Sequence, residues 1–218
     1  MRTSFLLLLL LLCSCRGGDS NTWADRAQDA IHDGDAKRAR KAIDRALKLD
    51  ASNAIAWRIA CILAYDTSRF EDSEAHCTRA IDLTRDDPEY HALLNRGLAR
   101  VKLNKLDGAY EDFQACKRLD PHNAEAYYDE SWVWAARGDL DQVLQNVRLA
   151  GRYNPFYAYR EVVGTDEPYE RFHDDPRWIA FVETLVPGDA PDFPQDTPLL
   201  EQNPISGVPL SAPERGGR

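Results

Sequence analysis

The sequence predicts an all-α fold of stacked helix pairs, and three features of its 218 residues carry that prediction. A unit of 34 residues recurs as 20–53, 54–87, 90–123 and 124–157, with Pro88-Glu89 inserted between the second and third. Small residues hold fixed places in that unit: Ala27, Cys61, Gly97 and Ser131 at the eighth position, and Ala46, Ala80, Cys116 and Ala150 at the twenty-seventh. The twentieth is small too, as Ala39, Ser73 and Ala109, with Val143 the exception. Bulky residues fall at the fourth, as Trp23, Trp57, Leu93 and Tyr127. Small side chains at fixed offsets let two helices approach closely, and large ones fill the space between pairs. A fixed period with helical spacing inside each half is the mark of a repeat architecture.

The elements follow in order. Residues 15–20 are polar and glycine-bearing, as a tether would be. The first helix is expected from Asn21 or Thr22, either of which can cap it. Gly34-Asp35 breaks the pattern before Ala36–Leu49; Ile55–Asp66 and Phe70–Leu83 make a second pair. Tyr90–Leu103 with Leu106–Leu119, and Ala124–Arg137 with Leu140–Tyr153, make the third and fourth. Pro121 and Pro155 stand just beyond helix ends, where proline stops a helix it cannot continue. The eleventh position is thinly filled by Ala30, Ala64 and Arg100, against Trp134 in the last unit.

Beyond the period, residues 158–186 read as helical capping of the array. Phe156–Val163 is expected as a short helix ended by Gly164, and Glu167-Pro168 and Asp175-Pro176 read as helix starts. Pro176–Leu185 presents the apolar stripe Trp178, Ile179, Phe181, Val182 and Leu185. Pro187–Arg218 holds seven prolines and no periodicity, which reads as a disordered tail.

With its small and large positions in place, the unit resembles the tetratricopeptide repeat, over residues 20–157. The resemblance implies a right-handed α-solenoid of about four helix pairs whose first helices line a concave, partner-binding surface. The positions so implied are Arg58, Ile62, Tyr65, Asn95, Leu98, Tyr128 and Trp132, an apolar and aromatic set suited to a peptide or protein partner. Packing against neighbouring repeats is the other reading of the same residues. Chaperone-binding members hold a C-terminal carboxylate with lysine, arginine and asparagine. This chain keeps Asn95 but has Ala24, Gln28, Ile59 and Asp129 at other clamp positions, so the clamp is absent. The resemblance also places Cys61 and Cys77 facing each other across one helix pair; a disulfide and two buried thiols both remain open. Cys116 reads as core.

The first residues read as an export signal. Arg2 is followed by the apolar run Phe5–Leu12, too short to span a bilayer. Leu12-Cys13-Ser14-Cys15 resembles the bacterial lipobox, which would remove residues 1–14 and leave Cys15 lipidated as a membrane anchor; Cys13 departs from the usual box. Ordinary cleavage before Arg16, giving a periplasmic or secreted protein, is the alternative. Because Arg16 is not the aspartate that retains lipoproteins in the inner membrane of enteric bacteria, the outer membrane is favoured.

With 36 acidic and 27 basic residues the net charge is −9, and both signs mix along the helices. No basic stripe suited to a phosphate backbone is evident, so nucleic acid is not an expected partner. His32, His76, His91 and His122 are scattered, and His173-Asp174-Asp175 are adjacent in chain rather than convergent. No metal, cofactor, catalytic set or small-molecule substrate is expected. The sequence thus reads as an envelope-anchored interaction scaffold, with an unanchored binding module and an accessory to an envelope-polymer enzyme as rivals.

Overall fold

The computed structural model describes residues 18–85, 89–154, 162 and 167–185. The expected signal, Cys15, Pro88, most of the Phe156–Val163 helix and the proline-rich tail lie outside these residues. Nine α-helices are found among the described residues, in chain order. They are α1 (Ser20–His32), α2 (Ala36–Leu49), α3 (Ala54–Asp66), α4 (Phe70–Leu83), α5 (Tyr90–Lys102), α6 (Leu106–Leu119), α7 (Ala124–Arg137), α8 (Leu140–Tyr153) and α9 (Pro176–Thr184). A single 3-10 turn, Glu170–Phe172, precedes α9.

Local chemistry sets the ends. Gly34, Ser68, Asn104 and Gly138 occupy one slot of the period, and all four adopt positive φ, between +57° and +78°. The next residue's N–H then reaches back five positions: Asp35 to Ala30, Arg69 to Ala64, Lys105 to Arg100 and Asp139 to Trp134, each at 2.8–2.9 Å. These bonds satisfy carbonyls that a helix end leaves orphaned and turn the chain into the second helix of each pair. Asp35 and Asp139 then cap α2 and α8 through their side chains.

Two boundaries differ from the sequence reading. Asp19 caps α1 by accepting from the Thr22 N–H, so the helix starts at Ser20, inside the expected tether. Glu167-Pro168 opens a turn rather than a helix, whereas Asp175 caps α9 with Pro176 in its first turn.

The chain divides into two compact units, residues 1–87 and 88–218. In the first, α1 pairs with α2 and α3 with α4, and α3 packs on both helices of the preceding pair. Ala24, Ala27, Ala30, Ala39 and Ala46 are fully buried where these backbones approach. Asn53 joins the pairs: its side chain donates to Ser20 and Asn21 at 2.7 and 2.8 Å while accepting the Ala56 N–H.

In the second unit α5 pairs with α6 and α7 with α8, and α7 packs on both α5 and α6. Its open end is covered by the terminal segment. Tyr169, Phe172, Trp178 and Phe181 join Leu140, Leu144 and Val147 in one core, with Tyr169 and Trp178 rings 4.8 Å apart. Ile179 does not belong to that stripe; it is 47% exposed. Arg100 corrects a second expectation. Its slot is not thinly packed, because its guanidinium reaches the buried Asp112 at 2.9 Å, beside Arg96 at 2.6 Å.

Candidate partner-binding site

The first helix of each repeat carries the sequence-derived contacts, and burial sorts them. On α3, Arg58, Ile62 and Tyr65 follow the three- and four-residue spacing that puts side chains on one face, and Ile55, three residues before Arg58, continues the same row. Ile55 is 44% exposed and Arg58 and Tyr65 are half-buried. The Tyr65 ring meets Phe70 edge-on at 5.5 Å. Ile62 is only 2% exposed and is core, not contact surface.

In the second unit Asn95, Leu98 and Tyr128 are likewise buried, at 1%, 4% and 1% exposure. The cause is direct packing of first helix on first helix, here α5 on α7. Asn95 turns its amide back to the His91 carbonyl at 2.7 Å, and Tyr128 is flanked by Trp132 and Tyr169, each 6.2 Å away. These three residues cannot touch a partner while the repeats remain packed.

Trp132 is the aromatic residue of the set that keeps an accessible face in this unit. It is half-buried against the core, and its indole N–H is enclosed without a hydrogen-bond partner among the described residues. Lys102 Nζ stands 5.2 Å from the ring centroid and is bonded to Glu167 at 2.6 Å. Lys102 holds the Glu167 carboxyl below its ordinary range, through that hydrogen bond first and charge second. Glu167 is 72% exposed, so an incoming carboxylate can compete for the same ammonium. No sequence pattern announces this pair, whose members are 65 positions apart.

Trp134, two residues on, faces elsewhere. Its indole N–H donates to the buried Glu130 at 3.1 Å and its ring meets Tyr110 of α6 at 5.7 Å. Glu130 in turn pairs with Lys117 at 2.7 Å.

Cys61 and Cys77 are joined by a disulfide between α3 and α4, with Cα atoms 5.2 Å apart. The Ser73 hydroxyl donates to the Cys61 carbonyl beside it. Cys116 is free and buried, and burial pushes its thiol up, out of the range of a reactive thiolate. Among the described residues, no three His, Cys, Asp or Glu side chains are grouped to hold a metal ion. No described helix is long and apolar enough to cross a membrane.

A family model described as tetratricopeptide repeat matches residues 24–89, and a second of the same description matches 90–123. RNA polymerase II-associated protein 3 of Xenopus laevis is 35% identical over 82 residues, which make up 38% of this chain but only 12% of that protein. Among solved structures, YrrB, described as a TPR protein with an unusual peptide-binding site, aligns with a TM-score of 0.58 at 19% identity, covering 78% of this chain and 88% of that one. PilW, a widely conserved type IV pilus biogenesis factor, aligns at 0.62 and 18% identity, covering 77% of each chain. MamA from Desulfovibrio magneticus RS-1 aligns at 0.61 and 12%, covering 78% of this chain and 94% of that one. At such identities the likeness is one of fold.

Proposed function

We propose that this chain, whose residues 24–123 are tetratricopeptide repeats, is an envelope-anchored scaffold that binds a protein or peptide partner. The observation that supports partner binding is the Trp132–Lys102 pair: a half-buried indole with a cation 5.2 Å from its ring centroid, that cation being held by a largely exposed carboxylate, Glu167. Such a pair suits a segment presenting an apolar side chain to the indole and a carboxylate to Lys102, in exchange for Glu167. On α3, Ile55, Arg58 and Tyr65 offer a second, separately placed stripe for the same partner class. That YrrB is described as having a peptide-binding site, on a similar fold, supports the class of ligand but not its identity. The reading involves no catalytic step.

Anchoring rests on the sequence Leu12-Cys13-Ser14-Cys15. A diacylglycerol thioether plus an amide-linked chain supplies more than one lipid signal, sufficient for stable attachment. Cys15→Ser is expected to abolish incorporation of labelled palmitate; retained label would move the lipid elsewhere. For the partner, wild type and Lys102→Glu are compared by crosslinked capture and mass spectrometry. Identical captured sets would overturn the role given to Lys102.

A further inference from the structure

The first helix pair carries a charged face unlike the rest of the chain. Helix α2 holds Lys37, Arg38, Arg40, Lys41, Arg45 and Lys48 against the single acid Asp44, in a protein of net charge −9. All six cations are exposed. Arg38 pairs with Asp33; the other five have no acidic partner among the described residues. Between α1 and α2 lies an open groove of about 730 Å³, floored by Trp23 and Ala42 and rimmed by Arg26, Arg38, Lys41 and Arg45, with Asp29 its one carboxylate. The Arg26 guanidinium sits 4.5 Å above the Trp23 ring, whose N–H is enclosed without a hydrogen-bond partner among the described residues.

The position of this face matters as much as its charge. The Ser20 hydroxyl donates to the Ala46 carbonyl, so the start of α1 lies beside the last turn of α2, where Arg45 and Lys48 stand. Five residue steps separate Ser20 from Cys15, a reach of at most roughly 18 Å.

We infer that the basic α1–α2 face docks on the anionic phospholipid headgroups of the membrane that holds the N-terminus. This inference rests on the N-terminal attachment proposed above. Two observations favour a lipid surface over an acidic protein: the chain entering this face is the one that carries Cys15, the proposed lipid attachment site, and the cations spread along a whole helix rather than converging on one point. Clusters of Lys and Arg beside a membrane anchor gain affinity from the negative surface potential, whereas the acidic remainder is repelled.

The test uses the full chain and its Lys41→Gln/Arg45→Gln/Lys48→Gln variant, with vesicles of phosphatidylcholine alone and of phosphatidylcholine with phosphatidylglycerol. The expected result is a preference for anionic vesicles that falls on the order of 100-fold in the variant and collapses in high salt. Anchoring acts equally on both vesicle types, so its failure lowers all binding together and leaves the ratio intact. A ratio near one for wild type, or an unchanged ratio in the variant, overturns the inference. A polyglutamate peptide supplies the other arm: variant-sensitive peptide binding without vesicle preference would assign the groove to an acidic protein and sink the membrane reading.

Discussion

The ring of Phe113 on α6 lies against the bare Cα of Gly97 on α5, so closely that an added Cβ would fall 2.6 Å from Cε1. Both residues are buried, Phe113 completely, and a rigid ring cannot fold away as a long flexible side chain would. Close approach of the two helices of this pair therefore depends on the absence of one carbon atom.

Gly97→Ala is expected to lower stability by about 1–3 kcal/mol, the usual cost of overpacking a core, despite the better helix propensity of alanine. Gly97→Trp should cost more. Thermal unfolding followed by circular dichroism reads both, and Gly97→Ala with Phe113→Leu should recover part of the loss. Unchanged melting of both single variants would mean that the helices do not approach here as described.

Asp112 predicts a different kind of loss. It is 3% exposed, with Arg96 at 2.6 Å and Arg100 at 2.9 Å. Asp112→Ala would leave two largely buried cations facing each other, and breaking a buried pair in this way costs about 3–5 kcal/mol. Replacing all three together by Met, Leu and Leu should cost far less, because the charges leave as a set. Urea unfolding of the single and triple variants decides this; equal destabilisation by both would deny the coupling.

These two sites differ in how far the sequence disclosed them. Gly97 stands at a position that is small in every repeat, so its role was legible from period alone. Arg100 stands where the period calls for an apolar residue, and its partner Asp112 is supplied by the facing helix. A contact between departures has no periodic signal. The same limit explains Ile62, Asn95, Leu98 and Tyr128: their positions mark the side of the helix correctly, but depth depends on how tightly neighbouring first helices and the terminal segment close over them. Charge behaved likewise. Mixed signs averaged over the chain concealed α2, where six cations sit on one helix.

Ser68 offers a stabilising change. It adopts φ +57° in the slot that Gly34 and Gly138 fill in other repeats. A side chain there costs about 1–2 kcal/mol in the left-handed region, only partly offset by the greater freedom glycine has when unfolded. Ser68→Gly is expected to gain about 0.5–1 kcal/mol in chemical unfolding, and Asn104→Gly less, because asparagine tolerates this region. A loss of stability in Ser68→Gly would show that the hydroxyl contributes something the backbone geometry does not.

The Cys61–Cys77 bond spans a sequence separation of 16 and ties α3 to α4. Closing a loop of this length restricts the unfolded chain by roughly 3 kcal/mol in the chain-entropy treatment. Cys61→Ala/Cys77→Ala should lose stability of that order, and peptide mapping of protein from its native compartment should recover the linked peptide. Two alkylated thiols in that map would refute the bond.

Trp132 and Trp134 make a paired test of where the partner binds, because the two indoles do opposite work two residues apart. Trp134 donates to one oxygen of the buried Glu130 and packs against Tyr110, so Trp134→Ala removes that donor, leaving Lys117 on the other oxygen, and empties the space beside the Tyr110 ring. A loss of about 3 kcal/mol or more is expected, typical of removing a large aromatic from packed surroundings. Trp132 is half-buried with Lys102 over its ring and leaves its N–H without a hydrogen bond among the described residues, so truncation breaks no hydrogen bond of the fold. Trp132→Ala should therefore remain folded while losing partner affinity by roughly thirtyfold or more, as anchor residues at interfaces do. Measuring both variants by thermal unfolding and by titration against the captured partner separates the roles. If Trp132→Ala stays folded and binds as tightly as wild type, contact must be made elsewhere, and the partly exposed stripe of Ile55, Arg58 and Tyr65 on α3 becomes the surface to mutate next.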